Sequence, residues 1–234
     1  MIKNFLMSLG YAVLMVVFPV VASVIIQVGN ITNDTLGYII QGIFFLVASV
    51  IGIVLLKRQD SCNEKGKHIN KRGLLWFIPI IGVEVIVFIS GIDMSHTILY
   101  YVALLFFTLF VGISEEVFFR GLILSKLKSE NMNSAIMISS ALFAVLHLTN
   151  LAGGVSIEYA ILQLLFAFIF GIVTAQLTVI TKSLVPAIIW HFSHDFISFL
   201  TGNELNAGTL VILVIQCVVL VIYSIYLHRV IKKL

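Results

Sequence analysis

Eight ionisable residues stand where an apolar chain should have none. Glu84, Glu115, Glu116, Arg120, His147, His191, His194 and Asp195 lie within or beside long hydrophobic runs. In lipid such groups cost several kcal/mol or more and usually mark function. Glu116 and Arg120 are i, i+4, so they share a helix face and can pair. Two adjacent carboxylates do not readily both ionise in a low-dielectric pocket. Glu115 points about 100° away from Glu116 on a helix. One carboxylate can therefore be held by Arg120 while the other faces a water as a general base. His191 and Asp195 are again i, i+4. They can form a hydrogen-bonded pair, or two arms on one face that grip a water, an oxyanion or a metal.

Each group also has a plainer reading. A Glu-Glu step at a helix start can complement the helix dipole. A lone interior histidine such as His147 is commonly a hydrogen-bonded core residue, and His191 with Asp195 can act as a polar clamp between helices. Glu84 reads as structural or channel-lining and receives no role. His194 sits beside the His191/Asp195 pair and receives no direct one. The three groups occurring together weaken the plain readings.

The elements that must position these residues are membrane helices. The 234 residues are 60% hydrophobic and 11% charged, against about 25% charged in a soluble domain. A span needs roughly 20 apolar residues, so about eight fit. They read as Phe5–Val28, Leu36–Leu56, Gly73–Ser90, Thr97–Ile113, Asn133–Leu148, Glu158–Ile180, Leu184–Leu200 and Thr209–Leu227. A polar loop, Lys57–Arg72, follows the second, and a distinct charged and aromatic segment, Ser114–Lys128, follows the fourth. The first run is longer than a signal-peptide h-region and lacks a small-x-small cleavage site before the polar turn, so it reads as a helix that is retained. The expected fold is all-α, a polytopic bundle of about eight transmembrane helices forming a single integral membrane domain over 1–234, with a motif-bearing core at about 111–200.

Charge supports this layout. With the N-terminus in the cytoplasm, the inside segments hold Lys3, Lys57, Arg58, Lys65, Lys67, Lys71, Arg72, Arg120, Lys126, Lys128, Lys182, Arg229, Lys232 and Lys233, which are all 14 basic residues. The outside turns hold only Asp34, Asp93, Glu158 and Glu204 among charged residues. A wrong helix count would scramble that separation, so both termini are expected to be cytoplasmic. There is no basic run of the kind that binds nucleic acid. Cys62 and Cys217 form no disulfide framework and have no metal-ligand spacing. A linear count places His147 near the outer end of its helix and Glu115 near the inner end of another. A tilted, broken or shortened helix would be needed to bring them together.

Three strings carry a resemblance. Glu115-Glu116-Val117-Phe118-Phe119-Arg120-Gly121 resembles EExxxR with a trailing glycine, Phe143-Ala144-Val145-Leu146-His147 resembles FxxxH, and His191-Phe192-Ser193-His194-Asp195 resembles HxxxN/D. In this order they are similar to the CAAX protease and bacteriocin-processing (CPBP, or Abi) family of intramembrane proteases, which includes prenyl-protein endopeptidases and proteins linked to bacteriocin self-immunity. The resemblance implies a helical bundle with a cavity open toward the cytoplasm. It implies that Glu115 activates a water with His147 assisting, that Glu116 and Arg120 position that pair, and that His191 and Asp195 stabilise the oxyanion. No cofactor is required by this reading. A divalent metal such as zinc is stereochemically compatible, with His147, His191, Asp195 and Glu115 as candidate ligands, although the HExxH spacing that argues directly for zinc is absent. Many members carry Asn where this chain has Asp195. An amide can donate to an oxyanion, whereas an ionised carboxylate cannot.

The expected partners are membrane lipid and a peptide or membrane-protein substrate, lipidated or bacteriocin-related, with no nucleic acid. The expected location is a bacterial plasma membrane. Two other functions compete with peptide hydrolysis. One is a non-catalytic bacteriocin-immunity or regulatory membrane protein of the same fold. The other is a small transporter, which the lack of paired Gly/Pro-broken helices disfavours.

Overall fold

The computed structural model describes residues 2–60, 75–88, 91–202 and 206–233. Among the described residues eight helical rods follow one another: α1 Ile2–Val28, α2 Asp34–Asp60, α3 Ile78–Val87, α4 Ile98–Glu116 with its continuation to Leu127, α5 Met132–Leu146, α6 Ile157–Thr181, α7 Val185–Leu200 and α8 Ala207–Ile231. Six are long and apolar enough to cross a bilayer, while α3 and α7 are shorter. The chain is a multi-pass, all-α membrane bundle. Most of the Lys57–Arg72 loop, with Cys62, Lys65, Lys67, Lys71 and Arg72, lies outside the described residues, as do Glu204 and both ends of the expected third helix, Gly73 and Ser90.

The helix starts follow local chemistry. Asn33, Thr97, Asn131 and Ser156 accept backbone N–H bonds at the beginnings of α2, α4, α5 and α6. These caps each satisfy a donor that a helix cannot satisfy itself. Asn206 and Thr209 form a reciprocal capping box on α8, and Pro186 starts α7 where its missing N–H costs nothing. Lys182 closes α6 in the left-handed conformation, with φ of 54°. Outward-facing side chains such as Val13, Ile43, Phe106, Val145 and Ile222 are exposed and apolar, as a lipid-facing surface requires.

The fourth helix differs from the expectation. It does not stop at Ile113. It continues as a π-helix over Val117–Leu124 and a last α turn, Ser125–Leu127. All eight residues of the π segment are buried. The charges of Ser114–Lys128 looked like a membrane exit, but Glu116 and Arg120 neutralise each other inside the protein, so the helix can run on. Glu115 is consequently 12 residues short of the helix end, or ~18 Å by α-helical rise. His147 lies 15 residues past the start of α5, or ~22 Å. The two residues sit at similar depth, and the difficulty raised by linear counting disappears without a broken helix.

The buried α4 packs against α2 on one side and α7 on the other. α5 packs on α6, and α6 in turn on α8. The α4–α7 crossing depends on Gly112. A Cβ there would lie 3.0 Å from the Phe192 backbone nitrogen and 3.2 Å from the Ile188 carbonyl oxygen. Only a residue without a side chain lets the two backbones approach this closely.

Candidate active site

The close crossing at Gly112 sets α7 one turn from the carboxylates of α4. Glu116 Oε1 lies 3.0 Å from Arg120 Nη1, with both side chains fully buried. The same oxygen accepts from His191 Nδ1 at 2.9 Å. Arg120 Nη2 donates to the Thr174 hydroxyl and, at 3.4 Å, to the Gly171 carbonyl on α6. The guanidinium also lies 4.2 Å from the centre of the Phe143 ring, within the range of a cation–π contact. Burying an ion pair is tolerable only when such additional partners compensate the lost hydration.

The ring of His191 faces outward from this network. Its Nε2 is 3.8 Å from Glu115 Oε2 and 3.5 Å from Asp195 Oδ2. Glu115 is buried, and its Oε2 has no hydrogen-bond partner. A buried carboxylate oxygen left without a donor is expensive and calls for a reason. His147 sits at the join between α5 and the short 3₁₀ helix His147–Gly153. Its Nδ1 is 3.0 Å from the Phe143 carbonyl. A carbonyl can only accept, so Nδ1 carries the proton and Nε2 is the basic nitrogen. The Phe143 ring contacts both histidines, with centroids 4.9 Å from His147 and 5.6 Å from His191. All six expected residues therefore converge. Glu115, Glu116, Arg120, His191 and Asp195 form one connected set, and His147 joins through Phe143 rather than through an ion pair with Glu115.

Residues 97–197 match the family described as type II CAAX prenyl endopeptidase, Rce1-like. This stretch belongs to the CAAX protease and bacteriocin-processing family. No curated protein and no solved structure matches the chain. The match runs from the N-cap of α4 to the last turn of α7, and it includes all three motif strings. At family level this stretch is similar to a CAAX-type intramembrane protease domain.

Four further residues contribute, Glu84, His194, Thr174 and Phe143, of which Glu84 and Thr174 lie outside the motif strings. Glu84 on α3 accepts from Trp190 Nε1 at 2.7 Å and pairs with His194 Nδ1 at 3.1 Å. Thr174 holds Arg120, and Phe143 stacks on it. The sequence did single out Glu84 and His194 as ionisable residues in apolar runs, but their partnership spans 110 positions and has no local signature. Asp93, in the turn after α3, supports α7 differently: its backbone N–H donates to the Leu200 carbonyl at 2.7 Å. The Ser95 hydroxyl and backbone N–H hold its carboxyl below the ordinary carboxylate range.

Among the described residues no three His, Cys, Asp or Glu side chains are gathered in a metal-holding arrangement. His191 Nδ1 is committed to Glu116, and its Nε2 stands 3.5–3.8 Å from two carboxylate oxygens. That is the spacing of hydrogen-bonding groups sharing a small polar site.

A cavity of about 220 Å³ reaches Asp195 and His194. Its walls come from α6, α7 and α8 with Val87 of α3, and it extends to Thr201, Gly202 and Thr209 at the helix ends. These ends are opposite the ends that carry Lys57, Arg58, Lys126, Lys182 and Arg229. The expectation of a cavity opening toward the basic, cytoplasmic side is not met by this one. On the basic side the eight residues of the π segment of α4 are all buried.

Proposed function

We propose that the protein hydrolyses a peptide bond within the membrane, with Glu115 as the base that activates water. The observation that carries this reading is the buried Glu115 Oε2, unpartnered and 3.8 Å from a histidine nitrogen that a second glutamate holds in place. Glu115 takes a proton from a water, the water oxygen bonds to the peptide carbonyl carbon, and the carbonyl oxygen becomes an oxyanion. Collapse breaks the C–N bond, and the proton passes from Glu115 to the leaving amine. Water and peptide together supply every atom of the two products.

Glu116 and Arg120 act as positioning residues. Glu116 fixes the tilt of the His191 ring, and Arg120 holds Glu116 in place. His191, when Nε2 also carries a proton, presents an N–H to the oxyanion. Such a preorganised donor is worth about 10²–10³ in rate. Asp195 orients the exposed edge of that ring, or donates to the oxyanion itself when protonated. His147 Nε2 is the second basic nitrogen of the site and assists proton transfer. The substrate is a membrane-associated peptide or protein, and the compartment proposed is a bacterial plasma membrane.

The test is Glu115→Gln, which keeps shape and hydrogen bonding but removes the base. Hydrolysis of a quenched fluorescent peptide library by the purified protein is expected to fall at least about 10²–10⁴-fold, with an unchanged melting temperature. Full retention of hydrolysis would remove Glu115 from the chemistry. If the native protein hydrolyses nothing while cells still need it intact, the non-catalytic immunity or regulatory role takes its place.

A further inference from the structure

The cavity between α6, α7 and α8 has mostly apolar walls, with a few polar groups and two distinct ends. Its inner end is Asp195, 3.5 Å from His191 Nε2 and so one residue removed from Glu115. Its outer end is Gly202 and Thr209, where α7 gives way to α8. Tyr159 and Phe166 of α6 line one side. Gln216 of α8 lines the other; it is 4% exposed and its Nε2 has no hydrogen-bond partner. A buried amide donor without an acceptor costs stability and is retained where an acceptor arrives from elsewhere. On the basic side of the site, Glu116, Arg120 and every residue of Val117–Leu124 are buried.

We propose that this cavity is the entry route for an extended peptide, which arrives from the membrane face opposite the lysines. Gln216 donates its Nε2–H to a main-chain carbonyl of that peptide. The inference rests on the endopeptidase reading and adds a direction and a binding residue to it. The side follows from charge: the helix ends around the cavity mouth hold no basic residue, whereas the far ends hold nearly all of them, and lysines and arginines remain on the cytoplasmic side. The inner end of the cavity, Asp195, lies seven residues before Gly202 at the mouth, or ~10 Å by helical rise. Aromatic rings flank the strand and the amide fixes its register, as in other small sites where few polar groups set orientation.

The route is tested without turnover by a membrane-impermeant sulfonated maleimide. The probe is applied to a protein carrying Cys62→Ser, Cys217→Ser and Ser198→Cys, since Ser198 lines the cavity. In spheroplasts of a bacterial expression host the new thiol is expected to react, and in inverted vesicles it is not. A matching Ser129→Cys protein, placed at the basic end, should show the reverse. Reaction of the Ser198→Cys protein only in inverted vesicles overturns the proposal.

The role of Gln216 is tested by Gln216→Leu on the purified enzyme with the fluorescent peptide library. KM is expected to rise about three- to tenfold with kcat little changed, the loss of one neutral hydrogen bond. The melting temperature should stay level or rise, because the substitution also removes an unpartnered donor. A fall in kcat at constant KM overturns the binding role. Outer-face labelling by a native-like protein that hydrolyses no peptide upholds the route and sinks the peptidase reading alone.

Discussion

α7 carries two histidines three residues apart, and each meets a glutamate from another helix. His191 Nδ1 lies 2.9 Å from Glu116, and His194 Nδ1 lies 3.1 Å from Glu84. The pairs look alike, yet their surroundings differ. Around Glu116 stand Arg120, Thr174 and the Phe143 ring, and the free nitrogen of His191 is left facing Glu115 and Asp195. Around Glu84, by contrast, the Trp190 indole N–H takes up the carboxylate, and the His194 ring lies against Phe166 at 4.9 Å. The first pair leaves a reactive edge and the second spends its polar atoms on holding α3 to α7. What a Glu–His pair does here is decided by the atoms that remain uncommitted after pairing.

The contrast can be broken at three points. The largest effect is expected from Arg120→Met, which strands the Glu116 carboxylate in the protein interior. Removing one partner of a buried pair costs about 3–5 kcal/mol, and thermal unfolding in detergent should show most of the folded population lost. Adding Glu116→Gln to the same protein should restore much of the stability but not the activity. An Arg120→Met protein with native melting behaviour would mean that the pair is not what anchors the His191 side.

The second probe is Asp195→Asn. An amide keeps the shape, can still accept from His191, and can donate to an oxyanion. Hydrolysis is expected to hold within about threefold or to rise, given the modest worth of a single neutral hydrogen bond. A collapse of activity would show that a charged carboxylate, acting as acceptor or metal ligand, is essential at this position. The smallest effect belongs to Glu84→Gln. The glutamine oxygen still accepts from Trp190, so a loss of about 0.5–1.5 kcal/mol in stability and a less than threefold change in kcat/KM are expected. If Glu84→Gln matches Glu115→Gln in severity, the second pair is chemical and the distinction between the two pairs falls.

The helix order and the polar set were legible in the sequence because both are local signals. Apolar length marks a span, and Glu116/Arg120 and His191/Asp195 each sit one turn apart on a single helix. The end of α4 was not legible. Ser114-Glu115-Glu116 reads as a departure from lipid unless the partners that make those charges tolerable are known, and Thr174, Phe143 and His191 lie on three other helices. The depth of Glu115 was misjudged for the same reason, since it was measured against a helix end that does not exist. Glu84 and His194 were visible as out-of-place charges, but nothing in either neighbourhood announces the other. The direction of the cavity depends on which side of the bundle is filled, and that is a property of packing alone.

The π turns of α4 also act as a change of gear. A helix with one additional residue in a turn falls behind an α-helix by about 100° in phase. Above Val117 the rotation of α4 is pinned by Gly112 against α7, which aims Glu115 and Glu116. Below Leu124 it is pinned anew, with the Ser125 hydroxyl accepting from Gln59 of α2 at 2.6 Å. The two faces are set by different neighbours, with the slack taken up between them. A one-residue insertion below the π segment would therefore be absorbed there, leaving the carboxylates still turned toward His191.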